Sequence, residues 1–443
     1  MGATTRREFV QLAGGAAAAS LIGAPTSLEA RLPGKRAARR RYAIVGTGHR
    51  ATGMWGKDLA TRYGDVLEFV GLADVNPKRA EAGRALIGVD CPTFTDFDQM
   101  CAQTRPDLLL VCTVDATHVG YIVKGLEQGM EVITEKPMVT DEAQCRTVLD
   151  AERRTGRRIV VAFNYRYAPK HRRVKELLQE GAIGRVASVD FSWYLDVYHG
   201  ADYFRRWHRL RAKGGTLFVH KATHHFDLVN WWLGAEPVEV VAHGDLKRYG
   251  RNGAVRHDRC RSCPAKDTCE FYWDMTADPR LMRLYADCES VDGYHRDGCV
   301  FREDVDIYDT MSALVTYGNG VQVTYSLNAF MPFEGYRVAF NGERGRLEVR
   351  DYERQPWTPE TETEIDLTRN FGRRERITLA QAAGGHAGGD DGLREVIFRN
   401  AAVPEYMRLP DSRAGALSCL TGIAARHSVE EGRPFRIDEL VRI

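Results

Sequence analysis

The stretch "RYAIVGTGHRATGMW" (residues 41–55) decides the reading of the fold. Tyr42 to Val45 is apolar and glycines come directly after it, so it reads as a buried strand that ends in a tight turn. Gly46-x-Gly48-x-x-Ala51 then opens a helix. The first glycine permits the turn, the second lets the backbone approach a pyrophosphate, and the small residue allows helix and strand to pack closely. Amides at the helix start supply the positive end that phosphate needs. Glycines also end strands in proteins that bind nothing, so the motif gains its meaning from the strands downstream of it. A second strand, "LEFVGLADVN", ends at Asp74. A carboxylate there can accept from both ribose hydroxyls of NAD and repels the 2′-phosphate of NADP. Further apolar strands, "PDLLLVCTV" and "GMEVITEKP", come next, with a helical pattern from Val119 to Gln128 between them. Strands alternating with helices in this way predict a parallel, doubly wound sheet. The fold class is therefore α/β, with an N-terminal Rossmann dinucleotide-binding domain over residues 42–165.

The bounds on the rest come from composition and from the N-terminus. The chain has 443 residues, 44% hydrophobic and 28% charged, which suits an ordinary globular protein of two domains. A net charge of +2 gives no overall pull toward nucleic acid or acidic membranes, and no nucleic-acid partner is expected. "TTRREFVQLAGGAAAASLIGA" places Arg6 and Arg7 before Phe9 and a weakly apolar run ending near Ala24. A basic head before an apolar run too short to span a bilayer reads as an export signal over residues 1–30. It resembles the twin-arginine signal, whose machinery carries folded proteins, so a periplasmic location is expected. The basic run KRAARRR closes a linker over residues 31–41.

With "GTGHRA", "TVDATH", "EKPMVTDEAQ" and "GRRIVVAFNYRYAP" in that order, the chain resembles the Gfo/Idh/MocA oxidoreductases. "EGAIGRVASVDF", "KGGTLFVHKATHHFDLVNWWLG" and "MSALVTYGNGVQVTYSLNAF" extend the likeness toward the C-terminus. The resemblance implies a C-terminal α/β domain over residues 166–443 with an open, largely antiparallel sheet, and a homo-oligomer. It also implies NAD(P)-linked chemistry on sugars, inositols or related polyols. The dinucleotide is then expected against Gly46, Thr47, Gly48, His49, Arg50, Asp74, Thr113, His118, Glu135, Lys136 and Arg166.

Lys136 sits at a strand's carboxyl end, where an open parallel sheet places its ligands. An ammonium there can hydrogen-bond a substrate hydroxyl and favour the alkoxide from which hydride leaves; a surface lysine before a turn-forming proline is the plain alternative. His220 and His224 lie four apart, on one face if the segment is helical. By resemblance, His224 takes the family's catalytic histidine and Asp227 the acid three residues on, while the family's usual aspartate is replaced by His220. An imidazole titrates near neutrality, so either histidine could be the base. The expectation is His224 as base with His220 as its relay, and His225 as a hydrogen-bonded core residue. The aromatic stretch from Trp193 to Arg209 suits either a sugar platform or the core. The loop "GGHAGGDDGL", with His386, Asp390 and Asp391, suits either a pocket mouth or a plain surface.

None of the ten cysteines precedes Cys91. An insert over residues 250–300 carries Cys260-x-x-Cys263, then Cys269, Cys288 and Cys299. Four thiolates suit tetrahedral zinc, and Cys260, Cys263, Cys269 and Cys299 are the preferred set, with Cys288, His257 and His295 competing. An iron–sulfur cluster uses similar spacing, and an oxidising compartment permits disulfides instead.

Export in a folded state suggests why these features coexist. A periplasm offers no dependable pool of dinucleotide, so an exported enzyme must carry tightly bound NAD and regenerate it in place. Three functions are compatible: a sugar, glycoside or polyol dehydrogenase with C3 as the candidate position; a glycosidase that oxidises, eliminates and re-reduces; and a non-catalytic sugar-binding protein.

Overall fold

The computed structural model describes residues 39–443, so the export signal and all but the end of the basic linker lie outside the described residues. Strands β1 (Arg40–Val45), β2 (Leu67–Ala73), β3 (Thr93–Phe94), β4 (Leu108–Val111), β5 (Glu131–Thr134) and β6 (Ile159–Val161) form a sheet in the order β3-β2-β1-β4-β5-β6. Every pair in it is parallel. The order turns at β1, which leaves a crevice at the carboxyl ends of β1 and β4, where open α/β sheets take their ligands. β1 is longer than its apolar core. It takes in Arg40 and Arg41 from the basic run because Arg40 pairs with Glu131 at 2.6 Å and the Arg41 amide donates to Asp107 at 2.9 Å.

The second sheet contains β7 (Val186–Asp196), β8 (Pro237–Asp245), β9 (Thr310–Tyr317), β10 (Gln322–Met331), β11 (Glu334–Gly342), β12 (Gly345–Arg354), β13 (Glu362–Arg369), β14 (Arg374–Ala380) and β15 (Phe435–Arg436). Its order is β14-β13-β12-β11-β7-β10-β9-β8-β15. All pairs are antiparallel except β7 with β10 at the centre. β7 buries Val189, Phe191, Trp193 and Leu195 on one face, the period-two alternation of a sheet with one solvated side. Its other face carries a polar ladder in which Ser326 meets Ser192 at 3.1 Å and Thr324 meets Asp190 at 2.9 Å. Helices Ala222–Leu233 and Ser412–Glu431 pack together beside this sheet. Asp411 caps the second by accepting from the Ala414 amide at 2.9 Å.

Between β8 and β9 the chain makes a long excursion. It leaves at Gly250 and returns at Val300, whose backbones are hydrogen-bonded at 2.9 Å. Among the described residues, no helix is long and apolar enough to cross a membrane.

Candidate active site

Three strand ends build the site. After β1, Gly46 adopts φ +85°, and a Cβ there would lie 2.5 Å from the Cys112 carbonyl oxygen, so only glycine fits. Gly48 differs: a Cβ would meet only the Tyr285 hydroxyl, at 3.1 Å, so a side chain that can yield, and no backbone, lies where a pyrophosphate would approach the loop. That cradle fits a dinucleotide. After β4, His118 bridges the Pro137 carbonyl at 2.9 Å and the Thr113 carbonyl at 3.2 Å, joining the ends of β4 and β5. Thr113 itself meets the Thr117 hydroxyl at 2.8 Å. After β5, buried Glu135 accepts from Arg50 Nε and from Trp55 Nε1, both at 2.7 Å. Burial raises the Glu135 carboxyl, but Arg50 and Lys136 outweigh that and hold it below its ordinary value.

Asp74 is largely enclosed. One carboxylate oxygen accepts from the Thr47 amide (2.9 Å) and hydroxyl (3.1 Å). The other accepts from the Asn76 amide (2.9 Å) and Arg79 Nη1 (3.2 Å). A carboxylate offers about four lone-pair positions, so those bonds fill it. The sequence places both ribose hydroxyls as donors to Asp74; in the folded chain, contact with the ribose requires one of these partners to yield.

Lys136 Nζ lies 3.5 Å from His220 Nε2 and 3.4 Å from the His220 carbonyl oxygen. His220 Nδ1 in turn meets Asp115 Oδ2 at 2.5 Å. Burial lowers the Lys136 ammonium to about 8; Asp115 and Glu135 resist the fall, and Lys221 adds to it. Burial also pushes the Asp115 carboxyl up and the His220 imidazole down. His224 lies flat on Tyr165, with ring centroids 4.2 Å apart and planes at 9°. Its Nδ1 is buried without a hydrogen-bond partner. Asp227 does not orient it: that carboxylate forms a bidentate pair with Arg166, at 2.5 and 2.8 Å. Arg166, expected against the dinucleotide, is thereby occupied by Asp227.

Other expectations resolve in both directions. His225 is a core residue bonded to the Tyr325 hydroxyl at 2.8 Å. Trp193 and Phe204 are buried, so the aromatic stretch is mostly core. Trp207 stacks on His208 at 3.6 Å and stands at 89° to the His220 ring. The glycine-rich loop turns inward. His386, at φ +50°, meets Asp390 at 3.0 Å and brings its ring within 5.4 Å of Tyr165 and 6.3 Å of His224. Asp115 does not stand out in the sequence, although "TVDATH" contains it, because its partner is 105 residues away. Lys221, whose Nζ donates to the Tyr165 hydroxyl at 3.3 Å, escapes notice for the same reason.

Cys260, Cys263, Cys269 and Cys299 all line one small hollow of about 20 Å³, and Cys288 does not. All four are free thiols, and Arg205 Nη1 donates to Cys260 Sγ at 3.1 Å. The one trio of metal-ligating atoms mutually within 4.8 Å among the described residues is Glu289, His295 and Asp297. Arg259 and Arg261 already pair with both of its carboxylates. The sulfurs are therefore set wider than a closed zinc site, in which tetrahedral geometry separates them by about 3.8 Å.

The NAD-binding Rossmann-fold model of the Gfo/Idh/MocA oxidoreductases matches residues 40–163, and the family's C-terminal alpha/beta domain model matches residues 175–437. The chain belongs to this family. Among Gfo/Idh/MocA relatives, YteT of Bacillus subtilis (strain 168), named provisionally as an oxidoreductase, is 40% identical over 424 residues, covering 91% of this chain and 99% of YteT. Inositol 2-dehydrogenase of Rhizobium meliloti (strain 1021) is 30% identical over 173 residues, 39% of this chain and 49% of that one. The solved levoglucosan dehydrogenase, in complex with NADH and levoglucosan, superposes with a TM-score of 0.67 at 16% identity, covering 90% of this chain and all of that one; the likeness is one of fold. The protein is thus an oxidoreductase of Gfo/Idh/MocA type with an NAD-binding Rossmann domain.

Proposed function

We propose that this Gfo/Idh/MocA protein oxidises a hydroxyl of a sugar, glycoside or polyol, with C3 as the candidate position, using tightly held NAD. The observation that carries the reading is the contact between Lys136, at the carboxyl end of β5, and the His220–Asp115 pair beside the dinucleotide cradle. When bound, NAD supplies a hydride acceptor there. Lys136 donates to the reacting hydroxyl and favours its alkoxide. His224, whose Nδ1 has no partner, takes the proton, and His220 fixes Lys136 and relays. Incubating the purified protein with a broad panel of sugars and glycosides tests this. The expected product is lighter by one H₂ as bound NAD becomes reduced; no reduction across the panel overturns the reading, and no released aglycone as well favours a sugar-binding protein.

A second reading is favoured by the His386–Asp390 pair, which adds a proton-transfer group beside the first set. The sugar would be oxidised at C3, lose its aglycone by elimination across the acidified C–H, take up water and be reduced again. Release of aglycone with no net NADH distinguishes this glycosidase from the dehydrogenase.

The paired Arg6 and Arg7 support export by the twin-arginine machinery to the periplasm with NAD already loaded. A structural zinc ion at the four insert thiols would require their sulfurs to draw together around the hollow they share, and four protein ligands would leave no position open for chemistry.

A further inference from the structure

Beside His386 the molecule has a cleft of about 290 Å³. Its walls are the end of β12, the end of β14 with the loop after it, and the first residues of the helix Pro169–Gln179. The volume is near the lower end of the ~300–1,000 Å³ typical of small-molecule pockets, which suits one ring rather than a chain of them.

One residue of β12 is out of register at this cleft. Glu334 pairs with Arg354 and Gly335 with Tyr352, so Glu353 is an extra residue without a partner across the ladder. A Cβ on Gly335 would lie 2.1 Å from the Asp351 carbonyl oxygen, so only glycine lets β11 close against this bulge. Bulges re-aim side chains, and they gather next to active sites. Asp351 is saturated: it accepts from Lys170 Nζ and, at 2.8 Å, from the Thr363 hydroxyl. Glu353 is not. Lys170 Nζ stands 3.9 Å from it, outside hydrogen-bond distance, and its side chain is 33% exposed. Lys170 and Asp351 neutralise each other, so the lining keeps the negative charge of Glu353 in excess. Tyr352 adds an aromatic ring, which suits the apolar face of a sugar.

The opposite wall is the glycine-rich loop. His386 and Ala387 hold φ of +50° and +52°, between Gly384 at +95° and Gly388 at +82°. Two successive side chains in the left-handed region are uncommon, and such strain clusters at ligand clamps. His386 Nδ1 meets Asn164 Nδ2 at 2.9 Å and Asp390 Oδ1 at 3.0 Å, so Nε2 is the ring nitrogen left for a ligand. His386 serves both places: it lines the cleft, and its ring lies 6.3 Å from that of His224. Glu353 does so too. Burial raises the Tyr165 hydroxyl and Glu353 adds to the rise; burial lowers the Lys221 ammonium, while Glu334 and Glu353 resist the fall. Tyr165 is the ring on which His224 lies, so the cleft opens onto the floor of the site.

We propose that this cleft is a subsite for the second residue of a glycoside, a neutral, hydroxyl-rich ring that donates to Glu353 and meets His386 while the ring being oxidised lies against Lys136 and His224. The inference rests on the sugar-oxidation reading and narrows its substrate to glycosides with an uncharged second ring. A carboxylate accepts from neighbouring hydroxyls and repels the carboxylate of a uronic acid.

The test uses the full-length, NAD-loaded protein and matched sets of sugars. Each set holds a methyl glycoside of glucose, galactose or mannose, a disaccharide in which the same ring is joined to glucose, and one in which it is joined to glucuronic acid. Both NAD reduction and release of the second ring are followed, so either fate of a glycoside registers. The neutral disaccharide should exceed its methyl glycoside in kcat/KM by about tenfold or more, the effect of one hydrogen bond to a charged group, and the gain should lie mainly in KM. The glucuronic acid counterpart should show no such gain. Glu353→Gln should narrow the difference between neutral and acidic second rings. Gln381→Trp, at an exposed lining position, should bring the neutral disaccharide down to its methyl glycoside. Equal kcat/KM for one ring and two, a preference for the acidic ring, or a disaccharide advantage that survives Gln381→Trp overturns the subsite. No turnover anywhere in the panel refutes the oxidation reading beneath it; turnover without a disaccharide advantage refutes the subsite alone.

Discussion

Lys136 carries a pH signature set by its neighbours. Its proposed role needs the ammonium form, and burial sets that form's midpoint at about 8. The rate of sugar oxidation should therefore fall as pH rises through about 8. Asp115 holds the Lys136 value up, so Asp115→Asn should move this limb to lower pH. Because Asp115 positions rather than transfers, the maximal rate should drop by less than the roughly 10²- to 10⁴-fold typical of a proton-transferring group. A limb that stays in place in Asp115→Asn would remove Lys136 from the titration. For the base, His224→Ala should lower turnover by about 10² or more with NAD still bound. A loss below about tenfold would move the base to His220, whose ring already faces Lys136. These two histidines and the lysine were legible because they sit in short motifs. Asp115 was not, since only folding brings it against His220, and nothing in "TVDATH" tells its carboxylate from a helix-capping one.

Elements explain the larger successes and the larger gaps. β1, β2, β4 and β5 were readable because buried parallel strands are continuous apolar runs. β3 was not, because Thr93–Phe94 is only two residues long. The central parallel contact of β7 with β10 joins strands more than a hundred residues apart, and local alternation fixes each strand's buried face without fixing its partner. Asp74 was readable at the end of β2, yet its four hydrogen bonds come from the turn after β1 and the helix Pro77–Ile87 with its cap. The proposed discrimination against NADP would then be chiefly electrostatic, with Asp74 and Asp292 both facing Arg79. Asp74→Ser should narrow the preference for NAD over NADP, measured as the ratio of the two dissociation constants. It should also lower thermal stability, because Arg79, Asn76 and Thr47 lose an acceptor. A wild type that prefers NADP would overturn this account of the strand end.

At the scale of the whole molecule, the proposed export and the fold make one demand together: the dinucleotide must be seated before the protein leaves the cytoplasm. Changing Arg6 and Arg7 together to lysine should leave folded, NAD-loaded protein in the cytoplasmic fraction. Fractionation that finds the variant outside the inner membrane in wild-type amount would refute twin-arginine transport. The sequence carried the paired arginines and the cysteines as separate observations. The reach of the insert's tip to the Gly46–Gly48 loop was not legible, because Tyr285 and Asp292 have no motif of their own.

The hydrogen bond between Gly250 and Val300 has a consequence for how such proteins diversify. A segment that departs and returns at one point can be gained or lost without changing the register of β8 against β9. A short turn in place of residues 251–299 should leave both sheets intact while removing the contacts that Tyr285 and Asp292 make with His49 and Arg79. Two chains separated by that one excision would share the same dinucleotide domain and differ in what covers the mouth of its Gly46–Gly48 loop.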